Sequence, residues 1–196
     1  MQRSELEELH YITHMDNVLS IANRGILSHH KSRQVQHTSV AMAEIQETRS
    51  AKRVPGGKRL HDYVNLYLSA RNPMLYKRRD KHADLCVLRV STDVLDFPGV
   101  VVTDGNAASE YTRFAAAPEG LKHVNREQTF AEWWTSPDPI EKWERTRRKC
   151  AEVLVPDRIA TDLILGAYVS CQISLGRFQA LGVPFEAQIN GHLFFL

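Results

Sequence analysis

Lys149-Cys150-Ala151-Glu152-Val153-Leu154-Val155-Pro156 sets a single carboxylate inside an apolar, β-branched run. Val and Leu suit a pleated, half-buried surface and a bare charge does not, so the run reads as a strand with one foreign residue. Alternation sends Glu152, Leu154 and Pro156 to one face and Ala151, Val153 and Val155 to the other. Glu152 therefore leaves the more continuously apolar side and points into solvent or into a cleft. A carboxylate at a sheet edge, beside the basic run Arg145 to Lys149, is the competing reading of this segment alone.

On the N-terminal side of that strand, the stretch from Ala107 to about Pro139 is weakly patterned. Tyr111, Arg113 and Phe114 suggest a helix, while Pro118, Gly120 and the polar run Lys122 to Gln128 suggest a long loop. Long connections inside compact domains tend to be functional. Trp133, Trp134 and Trp143 flank its exit, either as core anchors or as surfaces on which a base stacks. On the C-terminal side follow a strand-like run from Asp162 to Val169, a helix around Cys171 to Leu181, and apolar runs at Val183 to Ile189 and His192 to Leu196.

The N-terminal half supplies the rest. Leu9-His10-Tyr11-Ile12-Thr13-His14 reads as a strand, Asp16 as the N-cap of a helix carrying Val18, Leu19, Ile21 and Ala22, and Gly25 as its end. A strand that delivers Tyr11, Thr13 and His14 to the start of a helix builds a pocket floor with backbone donors at hand. His29, His30 and His37 lack a Cys or acidic partner at ligand spacing, so a metal site is not expected. A helix is expected over about residues 39 to 52, with Val40 and Ala43 on its apolar stripe. Val54-Pro55-Gly56-Gly57-Lys58 then makes a mobile loop carrying Arg53, Lys58 and Arg59. His61 to Leu68 is the most strand-like run of the chain. Asn72-Pro73 turns it and Pro73 opens a short helical turn. Leu85 to Val90 and Val100 to Thr103 are further strands, the second stopped by Asp104-Gly105-Asn106.

The 196 residues are 43% hydrophobic and 24% charged, which describes one globular α+β domain over residues 1–196 with roughly six or seven short, mostly antiparallel strands. The net charge of +2 is too small to imply nucleic-acid binding by itself, although the positive residues are clustered. Cys86, Cys150 and Cys171 are odd in number and widely spaced, as free thiols are. The N-terminus has no apolar leader and no run approaches a membrane span, so a cytoplasmic protein is expected.

The order Tyr11-Ile12-Thr13-His14 with Asp16-Asn17, Ile45-Gln46-Glu47-Thr48-Arg49, His61 to Tyr67 running into Arg71-Asn72-Pro73-Met74-Leu75-Tyr76, Thr103-Asp104-Gly105-Asn106-Ala107 and Ala151-Glu152-Val153-Leu154-Val155 resembles the DarT family. Its members are bacterial toxins that ADP-ribosylate DNA bases. The resemblance covers nearly the whole chain. It implies an ADP-ribosyltransferase-like fold with a split, mostly antiparallel β core and inserted helices, NAD as donor, single-stranded DNA as acceptor and a macrodomain antitoxin, DarG, that removes the modification. It also implies that Glu152 is the catalytic glutamate and that Arg49 is the arginine gripping the NAD diphosphate and ribose region. Tyr11, Thr13, His14, Asn17 and Tyr67 complete the expected cofactor site. DNA contacts are expected from Arg53, Lys58, Arg59, Arg71 and Asn106, with guanosine favoured over thymidine. Tyr11 stands where members often have His, and Asn72 where they often have Ser. Glycosyl chemistry agrees with this, because a carboxylate stabilises the positive charge that builds on a sugar as its C–N bond breaks. No Gly-x-Gly-x-x-Gly follows a strand, so the Rossmann route to NAD is absent. Two other readings stay open: a transferase acting on RNA or protein, and a silent nucleic-acid-binding module.

Overall fold

The computed structural model describes residues 1–40 and 43–196. Its strands are β1 (Leu9–His14), β2 (Ile26–Leu27), β3 (Tyr63–Tyr67), β4 (Leu85–Val90), β5 (Val101–Thr103), β6 (Phe114–Ala116), β7 (Glu152–Pro156), β8 (Arg158–Ile159), β9 (Ile164–Val169) and β10 (Ala187–Ile189). The helices are α1 (Val18–Arg24), α2 (His29–Ser32), α3 (Ala43–Ala51), α4 (Pro73–Tyr76), α5 (Arg126–Phe130), α6 (Pro139–Lys149) and α7 (Gln172–Gln179). Eight strands form one sheet in the order β10-β9-β4-β1-β3-β7-β5-β6, and β2 pairs with β8 apart from it. Only β9 and β10 run parallel; the other pairings are antiparallel.

The sheet is split in the middle. β1 pairs with β4 along its whole length, and β3 with β7 along its whole length, but β1 and β3 meet only at His10 and Tyr67. The α+β, split, mostly antiparallel core expected from the sequence is the architecture found. Alternation in β7 also holds: Ala151, Val153 and Val155 enter the main core with Val64, Leu66, Leu88, Val169 and Phe178, while Leu154 joins a smaller cluster with Tyr63, Leu60 and Val54. Each such fully buried aliphatic side chain contributes about 1.5–3 kcal/mol.

Several local expectations are corrected. Asp16 does not cap α1; it lies in a 3-10 turn whose cap is His14, and the Asn17 side chain makes no cap bond to the helix. The short acidic side chain lost to the imidazole, whose Nδ1 accepts the Asp16 N–H. Leu19, expected on the apolar side, is 53% exposed. Gly25 does end α1, at φ 78°, where a Cβ would come within 2.1 Å of the Ile159 carbonyl oxygen, so only glycine lets β2 lie beside β8. The helix expected over 39–52 is found only as α3, Ala43–Ala51: Ser39 and Val40 precede it in non-helical chain, so Val40 is not on its apolar stripe, and residues 41 and 42, with the Ala43 side chain, lie outside the described residues. His61 and Asp62 belong to a 3-10 turn before β3. Phe114 lies in edge strand β6 instead of a helix, and Gly191–Phe194 is a 3-10 turn. The Pro55-Gly56-Gly57 loop is tied by Val54 N–H to Lys58 O at 3.0 Å and by Leu60 N–H to Lys52 O at 2.9 Å.

Among the described residues no helix is long and apolar enough to cross a membrane. The three cysteines are free.

Candidate active site

The split in the sheet opens a cleft of about 350 Å³, lined by Tyr11, Ile12 and Thr13 of β1 and by Tyr63, Val64, Asn65 and Tyr67 of β3. That is the size of a small-molecule site. Two strands diverging from one point of contact leave their side chains facing a gap, which helices α1, α2 and α3 then wall.

Glu152 begins β7 directly opposite Tyr67. Its backbone N–H donates to Thr103 Oγ1 at 3.0 Å, and that hydroxyl donates to the Gly105 carbonyl at 2.7 Å, so the strand start and the Thr103–Ala107 turn are locked together. The turn then brings the Ala107 N–H to 3.0 Å from Glu152 Oε1. From the last turn of α3, Arg49 reaches both carboxylate oxygens, Nη1 to Oε1 at 3.2 Å and Nη2 to Oε2 at 3.1 Å. This fork-to-carboxylate geometry is the strongest form of ion pair. Burial works against the Arg49 charge, but the adjacent carboxylate outweighs it and raises the pKa.

Glu152 is only 1% exposed and Arg49 6%, and Arg49 lines the cleft while Glu152 lies beneath it. The sequence reading pointed Glu152 into solvent or into a cleft. It is not in solvent: the Arg49 guanidinium of the cleft wall covers it, because a strand carboxylate this deep needs a counter-charge.

Arg147 of α6 holds the turn from the other side. Its guanidinium donates to Asp104 at 2.9 Å, to Thr112 at 3.3 Å and to Glu144 at 2.9 and 3.0 Å, and its carbonyl accepts the Asn106 N–H at 2.9 Å. A Cβ on Gly105 would fall 2.5 Å from this guanidinium. In sequence this residue is one member of a basic helical run that looks like a solvated face, so nothing singles it out.

The cleft brings together Tyr11, Thr13, Asn17, Arg49, Tyr67 and Asn106 of the predicted site residues. Asn17 donates to Thr13 Oγ1 at 3.1 Å and clamps the backbone of Thr38 in both directions at 2.8 Å, so it fixes one lip of the cleft. Burial pushes the Tyr11 hydroxyl up to about 12 and the Tyr67 hydroxyl well above its usual range, so both present neutral phenols. His14, Arg53, Lys58, Arg59 and Arg71 are not among the lining residues. His14 Nδ1 accepts the Asp16 N–H at 3.2 Å, Lys58 is paired with Asp157, and Arg71 donates to the His192 carbonyl.

His29 and His37 do line the cleft, as does His61, whose ring lies 4.1 Å from that of His29. Burial, then the His29 and Arg49 charges, push the His61 pKa down to about 4, and burial lowers that of His29. His61 Nε2 and Gln46 Oε1 are buried without a partner. Among the described residues no three His, Cys, Asp or Glu side chains are grouped to hold a metal ion.

A family model described as "DarT: ssDNA thymidine ADP-ribosyltransferase" matches residues 10–195. A DNA ADP-ribosyl transferase of Thermus sp. (strain 2.9) is 31% identical over 158 residues, covering 75% of this chain and 73% of that protein. A DNA ADP-ribosyl transferase–DNA ADP-ribosyl glycohydrolase fusion protein of Thermosipho africanus is 32% identical over 173 residues, 83% of this chain, but the match spans only 42% of the fusion. Among solved structures, Thermus sp. 2.9 DarT in complex with ADP-ribosylated ssDNA superposes with a TM-score of 0.85 at 27% identity, covering 99% of both chains. The same enzyme with NAD+ gives 0.79 at 25% identity, covering 97% of this chain and 98% of that one. With the split sheet, the buried glutamate and these matches along almost its whole length, the chain belongs to the DarT family.

Proposed function

We propose that this chain transfers ADP-ribose from NAD to a base of single-stranded DNA, as the toxin of a toxin–antitoxin pair whose macrodomain antitoxin, DarG, removes the modification. The observation that carries the reading is Glu152: a strand-borne carboxylate gripped on both oxygens at the floor of a cleft, in a chain of this family. The cleft suits NAD, since neutral phenols, the amide of Asn65 and the unpartnered atoms of His61 and Gln46 offer hydrogen bonds among apolar side chains.

In the transfer, the bond between nicotinamide and the ribose C1 breaks, nicotinamide leaves with the electron pair, and a base nitrogen adds to C1. Glu152 stabilises the positive sugar and takes the proton that the base nitrogen gives up. Arg49 keeps Glu152 oriented until substrate arrives. Because both carboxylate oxygens are engaged, Arg49 yields part of its hold before Glu152 meets the sugar, which makes the arginine a partner of the glutamate before it is a phosphate clamp. Tyr11, Thr13, Asn17 and Tyr67, which line the cleft, are assigned to the NAD side, and Asn106 to the acceptor side. Residues 1–196 act as one domain, in the cytoplasm where NAD and DNA meet.

The family description names thymidine, which favours thymidine over guanosine as the acceptor base. The test is an acceptor panel: DNA oligonucleotides lacking thymidine or lacking guanosine, an RNA of matched sequence and a protein mixture, each with NAD. An adduct on the guanosine-free DNA alone supports the reading. An adduct on RNA or protein alone replaces it with the second enzyme reading, and no NAD consumption leaves the binding-module reading.

A further inference from the structure

The short helix α4 faces two ways. Pro73 and Met74, with Lys77 and Arg78 just beyond, line the cleft. Tyr76, on the other side, stands edge-on to Trp133, Trp134 and Phe195 with ring centroids 6.3, 5.7 and 5.0 Å away. Trp134 is a core anchor at 9% exposure, but Trp133 is 48% exposed. One side of Trp133 is packed by Arg71, whose guanidinium carbon lies 5.1 Å from the Trp133 ring and 4.1 Å from the Phe195 ring. The Arg71 side chain is 11% exposed and sits 3.9 Å from Glu132. Arg71 is therefore a wedge that fixes the indole and not a free cation.

Cations with no carboxylate partner among the described residues follow directly, although Arg78 donates to the Val40 carbonyl at 2.8 Å and Arg79 lies 4.2 Å from the Tyr76 ring. Lys77-Arg78-Arg79-Asp80-Lys81 carries four positive charges against one negative, and Lys77, Arg79 and Lys81 are exposed. A rigid indole left half in water, across one short helix from the cleft and near a mostly positive run, is how a single strand is held: rings stack bases and cations track phosphates. A protein partner would fit the aromatic residues as well, but it gives no reason for the mostly positive run. The basic loop expected to carry the strand is less free, because Lys58 is committed to Asp157.

We propose that Trp133 is a stacking platform for a nucleobase next to the modified one, and that the run from Lys77 to Lys81 follows the intervening phosphates. This rests on the reading of single-stranded DNA as acceptor. The experiment measures transfer kinetics on a short single-stranded oligonucleotide with one modifiable base, for the wild-type chain, Trp133→Ala and Trp133→Phe, and repeats them with abasic positions walked along each flank. Trp133→Ala is expected to raise KM for the oligonucleotide about tenfold, about 1.4 kcal/mol, with KM for NAD within twofold of the wild-type value. Trp133→Phe restores most of the loss. In the wild-type chain one flanking abasic position reproduces the tenfold rise, and it adds nothing in Trp133→Ala. Should Trp133→Ala prove unstable, the abasic walk on the wild-type chain decides alone. Transfer that is insensitive to every flanking abasic position overturns the platform and leaves the acceptor reading intact. Failure of the wild-type chain to modify any strand overturns both.

Discussion

Glu152 and Arg49 hold each other in the least exposed part of the site, so each substitution has a stability consequence as well as a catalytic one. Glu152→Gln keeps the packing and an acceptor for the Ala107 amide, and is expected to lower transfer by at least about a hundredfold, the ~3 kcal/mol that one lost transition-state charge contact costs. Arg49→Ala strands a buried carboxylate. It should destabilise the fold by roughly 3–5 kcal/mol, a fall in melting temperature of roughly 6 to 20 °C for a chain of this size, and combining it with Glu152→Gln should recover much of that loss. Thermal unfolding of the three variants checks this; an Arg49→Ala chain that melts with the wild type would mean the pair is not formed in solution. The sequence singled out both residues but not their mutual contact, because alternation along β7 gives a direction and says nothing of what a helix a hundred positions earlier will lay over it. His61 was passed over for a similar reason: its ring is made unusual by packing against His29, a contact between α2 and the turn before β3.

At the scale of elements, the Thr103–Ala107 turn decides how Glu152 is aimed, and α6 decides how the turn is held. Arg147→Met removes the bonds to Asp104, Thr112 and Glu144 while keeping the aliphatic stem. The turn then loosens, and kcat is expected to fall about tenfold while the affinity for NAD stays within twofold. Calorimetric titration with steady-state kinetics separates the two, and an equal loss in both would make Arg147 a binding residue. Long strands with clear alternation, β1, β3, β4 and β7, were legible in the sequence, as were Gly25 and the Asn72-Pro73 turn, where a single residue type fixes the backbone. Of the shorter strands β5 was legible, but β2, β6 and β8 were not: they exist because a partner lies alongside, and two or three residues carry no period. The 3-10 turn at Met15–Asn17 was missed because the capping acceptor came from the imidazole of His14.

For the whole molecule, acid should act before the carboxylates as a class are protonated. Burial holds the His61 pKa at about 4 and lowers that of His29, so between about pH 6.5 and 4 the unfolded chain binds more protons than the folded one and stability falls as pH falls. A second loss follows from about pH 4.5 to 2, where Glu8, charged despite its burial because His10, Arg89 and Tyr168 donate to it, is finally protonated at about 2. Denaturant midpoints against pH should show the upper limb flattened in His61→Asn and the lower limb unchanged; an unaltered upper limb would contradict this. A duplex should also be a poor acceptor. Extruding a base costs a few kcal/mol, so initial rates on duplex are expected to be roughly two orders of magnitude below those on the matching single strand. Equal rates would require a site that reads a groove. The claim on which the account turns is that Glu152 drives transfer of ADP-ribose from NAD to a base of single-stranded DNA, and intact mass of one thymidine-containing oligonucleotide after incubation with NAD measures it directly. One ADP-ribosyl unit added by the wild-type chain and none by Glu152→Gln is the predicted result; no adduct from the wild type, or the same adduct from both, would contradict it.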